Sequence, residues 1–224
     1  MIQKLLRLPK PELLKLASRR CKHKHTFLEH PSCYFKELNK EEKVGFLDIE
    51  ASNLDANFGI MLTYCIKDGN SNKIYSGVIS KEDINKYEAD KTDTRVLKQC
   101  IEDMLKFDRL VAHYGKRFDF PFIRTRALIC GVDFPDFGSI FIDDTWIWAK
   151  YKLKLNSNRL DTIATTLFGE SDKTHLQYKY WVGGIRGDKK SLDYILKHNK
   201  IDVLELEKIY NKLKSFVKQN KSSI

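Results

Sequence analysis

The chain has 224 residues, of which 42 % are hydrophobic and 12 % aromatic, so it can bury one sizeable core, and wholesale disorder is excluded. Forty lysines and arginines against thirty aspartates and glutamates give a net charge of +10, which favours a polyanionic partner such as nucleic acid. No apolar run approaches the roughly 20 residues of a membrane-spanning helix, and the N-terminus lacks the apolar region of a secretory signal. We therefore expect a soluble, cytoplasmic protein with no membrane partner.

The first forty residues are predicted to form a basic appendage of one or two short helices, followed by a cluster of metal-ligating residues. That cluster consists of Cys21, His23, His25, His30 and Cys33. Two thiolates and three imidazoles can supply the four donors of a structural Zn²⁺, although their spacing is not that of a standard zinc finger. The alternative is a basic loop whose histidines contact phosphate or solvent. The predicted domains are thus a segment at 1–40, with or without zinc, and a main domain at 41–224.

A buried strand that ends in two acids opens the main domain, with the sequence KVGFLDIEAS at residues 43–52. Val44, Phe46 and Ile49 favour a strand over a helix. Because side chains alternate along a strand, Asp48 and Glu50 point to the same face. Two carboxylates this close repel each other unless a cation lies between them, and oxygen ligands suit Mg²⁺ or Mn²⁺. The alternative is a pair of solvated acids at a strand end.

The rest of the main domain alternates strand and helix patterns, which predicts a mixed α/β fold. The predicted elements are strands at 60–66, 73–80 and 110–113 and helices at 93–107, 160–169 and 191–217. The turn-forming residues between the strands at 60–66 and 73–80 predict an antiparallel meander. Residues 173–190 indicate an irregular basic loop in which Trp181 stacks on a base or anchors in the core. Three of the five cysteines lie in apolar segments and are predicted to be buried thiols.

Five further titratable residues follow predicted turns or lie on the last helix. Asp119 follows a glycine turn, where an acid is either a helix N-cap or a metal ligand, whereas Asp143 and Asp144 are predicted to be helix caps. Asp202 lies on a helix face otherwise used for packing, where a charge is costly unless it is neutralised. His198, one turn earlier, reaches the same point in space. The alternative for these two is a surface His–Asp pair.

Three segments, taken together, resemble the motifs of a known family. FLDIEAS, AHYGKRFDFPFI and HNKIDV resemble, in order, the three motifs of the DEDD 3′-to-5′ exonucleases, over residues 43 to 210 and most closely those of stand-alone phage and prokaryotic enzymes. The resemblance implies a ribonuclease H-like fold, a mixed β-sheet flanked by α-helices. It carries catalytic metal-ligand roles onto Asp48, Glu50, Asp119 and Asp202. It also implies two Mg²⁺ or Mn²⁺ ions that activate a water and stabilise the leaving 3′-oxygen, with His198 as general base.

Three positions depart from the family pattern. His198 has the i, i+4 spacing at which the family usually carries Tyr, and the branch with His has one more intervening residue. Ala51 stands where Thr is frequent, and Tyr114 where Asn is frequent. The resemblance places the last two changes in the pocket for the terminal nucleotide, so we expect an altered substrate preference. The residues expected to contact the substrate are Ser52, Leu54, Tyr114, Lys116, Arg117 and Trp181.

The leading prediction is a metal-dependent exonuclease that acts on the 3′ ends of single-stranded DNA or RNA, with DNA favoured. One alternative is a ribonuclease, or a structure-selective nuclease, with the same acidic site. The other is a non-catalytic nucleic-acid-binding module that uses the N-terminal Cys/His segment for recognition. The complete set of four acids argues against this module, because binding alone does not require them.

Overall fold

The computed structural model describes residues 42–172, 176–217 and 222–224, together with residues 14, 18, 20, 24–26 and 29–31 nearer the N-terminus. The chain divides into two compact units, Met1–Lys43 and Val44–Ile224. In the first unit, Arg20 and Thr26 form an isolated antiparallel bridge. The helices predicted for residues 1 to 20 lie almost entirely outside the described residues.

The second unit is built on a five-stranded mixed sheet. Its strands are β1 (Val44–Ala51), β2 (Met61–Asp68), β3 (Ile74–Val78), β4 (Arg109–Ala112) and β5 (Phe141–Asp144). Their order in the sheet is β3-β2-β1-β4-β5. β1, β2 and β3 pair antiparallel, whereas β4 is parallel to both β1 and β5. The predicted meander and the predicted mixed sheet are therefore both confirmed.

Helices cover both faces of this sheet. They are α1 (Lys81–Lys86), α2 (Thr94–Met104), α3 (Asp119–Cys130), α4 (Thr145–Lys152), α5 (Leu160–Phe168), α6 (Tyr178–Ile185) and α7 (Lys189–Leu213), followed by a 3₁₀ turn at Lys214–Phe216. One hydrophobic cluster joins Leu47 and Ile49 of β1 to α2 and α3. A second joins Phe46 of β1 to α4, α5 and α7. β1 therefore buries apolar side chains on both of its faces, as expected for a central strand of an α/β fold with helices on each side of the sheet.

The segment predicted to be an irregular loop around Trp181 is instead helical, which corrects the sequence prediction. Residues 178–185 form α6, and Trp181 is partly buried against the first hydrophobic cluster. The adjacent Gly183 and Gly184 of α6 serve close helix packing. A Cβ on Gly183 would lie 2.1 Å from Oγ of Ser191 on α7, so only glycine lets the two helices approach this closely.

Candidate functional site

The two acids of β1 lie at the edge of the sheet where three strands end. β1, β4 and β5 are parallel, so their carboxyl ends share one edge, the place where open α/β sheets usually bind ligands. Asp48 and Glu50 are half-buried and alternate with the buried Ile49. They therefore share the face of β1 to which Phe46 also belongs, and this is the face that α7 covers.

Asp202 of α7 completes a group of three carboxylates with Asp48 and Glu50. Each of the three residues offers one ligand atom, and these atoms all lie within 4.8 Å of one another. Asp202 is only 6 % exposed, because the helix face that carries it packs on the sheet. Three carboxylates this close repel one another, so the arrangement favours a cation among them. Carboxylate oxygens are the donors that Mg²⁺ and Mn²⁺ prefer, so this site fits such an ion.

Asn199 is a site residue that was not among the residues predicted from the sequence. Its Nδ2 donates a hydrogen bond to Oδ2 of Asp48 at 2.5 Å. Its Oδ1 accepts a hydrogen bond from Oγ1 of Thr63 at 3.2 Å. The side-chain amide of Asn199 thus orients the carboxylate of Asp48. The available sequence signal was its position three residues before Asp202, which puts both side chains on one helix face.

Asp119 contacts β1 rather than capping its own helix. Its Oδ1 accepts a hydrogen bond from the backbone N–H of Ile49 at 3.1 Å. The N-cap position of α3 belongs to Phe118, whose side chain makes no capping bond, so the capping alternative is wrong. The pairing of β1 with β4 ends at Phe46 and Val111, and beyond it the carboxylate takes the place of a strand partner. Asp119 is thereby bonded to the backbone between Asp48 and Glu50.

Gly115 lets the loop before Asp119 approach the end of β4. A Cβ at this position would lie 2.3 Å from the Cβ of Ala112, a distance that side chains do not tolerate, and 3.4 Å from Oδ2 of Asp119. The carbonyl of Gly115 also accepts a hydrogen bond from the N–H of Phe120 in the first turn of α3. The absence of a side chain here thus helps to set where α3, and with it Asp119, begins.

His198 lies on α7 one turn before Asp202 and is buried, with 4 % exposure. Its ring packs against Tyr194, with ring centroids 4.3 Å apart and planes at 61°. Tyr194 in turn stacks on Tyr180 of α6 at 3.8 Å. The packing of α6 on α7 therefore restricts the orientation of the imidazole. The structure places His198 on the helix that carries Asp202 and Asn199.

The loop after β1 exposes two large apolar side chains beside the acids. Ser52 closes this loop, since its Oγ accepts a hydrogen bond from the N–H of Ile60 at 2.9 Å. Leu54, predicted to contact the substrate, is 80 % exposed. Phe58 is equally exposed and was not among the residues predicted to contact the substrate. The predicted contact residues Ser52 and Leu54 thus lie in the loop that leaves the acidic strand.

The predicted contact residues after β4 are held by an acid at the end of β5. Tyr114 has a φ of +66°, in the left-handed region, and its N–H donates to Oδ1 of Asp144 at 3.0 Å. The N–H of Lys116 donates to Oδ2 of the same carboxylate. Asp144 is also the N-cap of α4, as predicted. Asp143 is not a cap: it is fully buried and pairs with Arg109 at 3.1 Å, which corrects that prediction.

The negative charge of Asp48 acts on a buried thiol of the neighbouring strand β2. Cys65 lies opposite Asp48 in the antiparallel pairing of β1 and β2. Burial raises the pKa of the Cys65 thiol, and the charge of Asp48 raises it further. Cys65 and Cys100 are fully buried and Cys130 is half-buried, so the predicted location of the thiols is confirmed for the first two.

Three of the five predicted zinc ligands, Cys21, His23 and Cys33, lie outside the described residues. His25 and His30 are described, and their rings meet edge to face with centroids 5.5 Å apart. Both belong to the first compact unit. Within the described part of the chain, the acidic group on β1 and α7 is the group of side chains whose ligand atoms lie close enough together to hold a metal ion. The zinc site stays a prediction.

A sequence model described as the RNase_H superfamily matches residues 45–214, three-quarters of the chain. The chain belongs to the RNase H superfamily. This membership agrees with the predicted fold and indicates a nuclease. The matched residues run from the start of β1 to the end of α7 and include all three carboxylates of the acidic group.

This RNase H-superfamily chain is also similar in structure to the family B DNA polymerase from the hyperthermophilic archaeon Pyrobaculum calidifontis. The TM-score is 0.63 at 16 % identity, over 79 % of this chain and 25 % of that chain. The chain thus corresponds to about a quarter of the polymerase's length, and at this identity the likeness extends to the fold alone. No curated protein matches in sequence. No described helix is both long and apolar enough to cross a membrane.

Proposed function

We propose that this chain is a metal-dependent 3′-to-5′ exonuclease that hydrolyses phosphodiester bonds at the ends of single-stranded nucleic acid, with DNA favoured over RNA. The observation that carries the proposal is the convergence of Asp48, Glu50 and Asp202 at the carboxyl edge of the sheet. Their ligand atoms are close enough for a shared ion, and the net charge of +10 suits a polyanionic strand.

The assignment to the DEDD exonucleases rests on the three motifs and on the fourth acid. Asp119 belongs to the second motif and is bonded to the backbone between Asp48 and Glu50. The order of the motifs supports the 3′-to-5′ direction, which is the direction of the family they resemble.

Four carboxylates would hold the metal: Asp48, Glu50, Asp119 and Asp202. When bound at such a site, divalent cations supply an activated water and stabilise the charge that develops on the leaving oxygen. Asn199 holds the carboxylate of Asp48 in one orientation through its Nδ2. The half-burial of Asp48 and Glu50 beneath α7 limits competing water, which strengthens electrostatic interactions at this edge.

His198 is the proposed general base. One ring nitrogen accepts a proton from the attacking water while the bond from that water to phosphorus forms and the bond from phosphorus to the 3′-oxygen breaks. A mononucleotide then leaves, and the 3′-oxygen of the shortened strand takes a proton from solvent to become a 3′-hydroxyl. The stacked Tyr194 and Tyr180 restrict the imidazole, which supports its use as a positioned group.

The deciding experiment is a time course on DNA and RNA strands of matched sequence that carry a fluorophore at the 5′ end. Each strand is incubated with Mg²⁺, with Mn²⁺ or with EDTA. We expect a metal-dependent ladder that shortens one nucleotide at a time, with the DNA strand degraded faster. Early release of labelled mononucleotide would indicate the opposite direction, and large fragments would indicate a structure-selective endonuclease. Faster loss of the RNA ladder would make the enzyme a ribonuclease.

Substitutions in α7 connect that activity to the proposed site. Asp202→Asn should abolish the ladder, and His198→Ala should lower the rate by about 10²- to 10⁴-fold. Asp193→Asn is the matched control, because Asp193 is an exposed acid on the same helix, paired with Lys189. Full activity of Asp202→Asn, or equal losses for Asp193→Asn, would contradict the assignment.

A further inference from the structure

A solvent-accessible group of two aromatic rings and two cations lies at the carboxyl edge of the sheet, beside the acidic group. We call it the loop–α4 surface and define it as Tyr114 and Arg117 of the loop after β4, with Trp146 and Lys150 of α4. Trp146 and Lys150 have no part in the site described above.

The contacts within the loop–α4 surface are aromatic and cation–π. Tyr114 and Trp146 meet at a ring-centroid distance of 5.1 Å with planes at 73°. The guanidinium of Arg117 lies 6.0 Å from each of these rings. Nζ of Lys150 lies 5.0 Å from the ring of Trp146. Tyr114, Arg117 and Lys150 are exposed and Trp146 is half-buried, so rings and cations are accessible together.

Asp144 fixes the two halves of this surface to each other. Its Oδ1 accepts hydrogen bonds from the N–H groups of Tyr114 and Trp146, both at 3.0 Å, and of Ile147 at 3.3 Å. Its Oδ2 accepts from the N–H of Lys116 at 3.1 Å. These four donors offset the charge of the buried carboxylate. The surface above it therefore remains cationic, and its two rings stand on a rigid base.

The backbone of Tyr114 is strained in a way that exposes its ring. A φ of +66° is uncommon for a residue other than glycine, asparagine or aspartate, and such a conformation persists only where surrounding contacts impose it. Here the bond from its N–H to Asp144 holds it. The result is an aromatic side chain that is 39 % exposed beside Trp146, an arrangement that the fold maintains at a cost in backbone energy.

We propose that the loop–α4 surface binds a single strand from the pocket for its terminal nucleotide, beside Tyr114, to the nucleotides upstream of the 3′ end, which lie over Trp146 and Lys150. Exposed aromatic faces stack unpaired bases, and adjacent cations contact the phosphates between them. Neighbouring strands lie about 4.8 Å apart, so the end of β5 is roughly 10 Å from β1. This distance matches the length of about three stacked nucleotides at ~3.4 Å each. The inference rests on the proposed function, because it takes the terminal nucleotide to occupy the acidic site.

The test measures the binding of 5′-labelled DNA strands by fluorescence anisotropy, in EDTA so that no cleavage occurs. Trp146→Leu should weaken binding of a twelve-nucleotide strand by about 5- to 100-fold, because it removes a stacking ring. The loss should be smaller for a dinucleotide and for a blunt duplex, which cannot place unpaired bases on the surface. Trp146→Phe should restore most of the affinity, and this variant guards against a fold defect in Trp146→Leu.

Lys150→Gln tests the electrostatic half of the proposal. Removing one phosphate contact should reduce the slope of log Kobs against log salt concentration by about 0.7. Phe137→Leu and Lys98→Gln are the matched controls. Phe137 is an 85 % exposed aromatic before β5, at the opposite edge of the sheet, and Lys98 is an exposed lysine on α2. Unchanged affinity in both surface variants, or equal losses in the controls, would overturn the proposal.

The outcomes separate this inference from the proposed function. If Trp146→Leu loses affinity but the unmodified protein cleaves no strand, strand binding by the loop–α4 surface is supported and the exonuclease activity is contradicted. If the unmodified protein cleaves the strands but the surface variants bind them with unchanged affinity, the exonuclease activity is supported and strand binding by the loop–α4 surface is contradicted. Equal losses for the dinucleotide and the twelve-nucleotide strand would also reject the surface, because they would place Trp146 at the terminal nucleotide.

Discussion

Asn199 shows how a single side chain prepares the acidic site. It is fully buried, donates to Asp48 through Nδ2 and accepts from Thr63 through Oδ1. Because the hydroxyl of Thr63 occupies the amide oxygen, the amide nitrogen faces the carboxylate. Polar partners of this kind orient metal ligands and are nearly as important for metal affinity as the ligands themselves.

We predict that Asn199→Ala lowers metal affinity and cleavage rate by about 10- to 100-fold, because Asp48 loses the group that orients it. The measurement is the cleavage rate as a function of Mn²⁺ concentration. Excess metal should restore part of the lost rate. Asn211→Ala is the matched control, since Asn211 is an exposed asparagine on the same helix. An unchanged metal dependence in Asn199→Ala would mean that the amide serves packing alone.

The loop between β4 and α3 is the element that brings the fourth acid to the site. It starts at the end of a parallel strand, bonds to Asp144 through two backbone N–H groups and begins α3 with Asp119. Gly115 lies in close contact with Ala112 in its middle. Any side chain at residue 115 must displace the loop and, with it, the start of the helix.

We predict that Gly115→Ala lowers the free energy of unfolding by about 1–3 kcal/mol, because the added methyl group overpacks against Ala112. The cleavage rate should fall as well, since Asp119 moves with the loop. The double variant Ala112→Gly with Gly115→Ala removes the clashing atom and should recover stability relative to Gly115→Ala. Urea denaturation of both variants measures this. A Gly115→Ala protein as stable as the unmodified chain would contradict the close approach.

At the scale of the whole molecule, the core contains thiols that folding keeps protonated. Cys65 and Cys100 are fully buried. Burial raises the pKa of both thiols, with further contributions from Asp48 for Cys65 and from Asp103 for Cys100. In the unfolded chain a thiol has a pKa of about 8.5. Above that pH the unfolded state therefore binds fewer protons than the folded state.

We predict that the free energy of unfolding is insensitive to these thiols below pH 8 and decreases between pH 9 and pH 10 by about 1.4 kcal/mol per pH unit for each thiol. Urea denaturation at several pH values measures the slope. Cys100→Ala should reduce that slope by the contribution of one thiol, although this variant is less stable overall than the unmodified protein. Identical slopes in the two proteins would mean that Cys100 ionises in the folded state.

The sequence by itself determined which residues could form the site, because strand and helix periodicities are local properties of the backbone. The two-residue period placed Asp48 and Glu50 on one face of β1, and the helical period placed Asp202 on the packing face of α7. The meander and the α/β class follow from the same local patterns. The helical α6 was missed, because its glycine pair serves contact with α7 rather than a turn.

Only the tertiary structure decided what each polar group contacts. Asp119 bonds to Ile49, 70 residues away, and Asn199 bonds to Asp48, 151 residues away. Asp143 and Asp144 are adjacent, yet one pairs with Arg109 and the other caps α4. They share one short stretch of chain at the end of β5, so local patterns do not distinguish them. The distinction follows from which elements pack together, since a carboxylate's partners are set by the strands and helices that surround it.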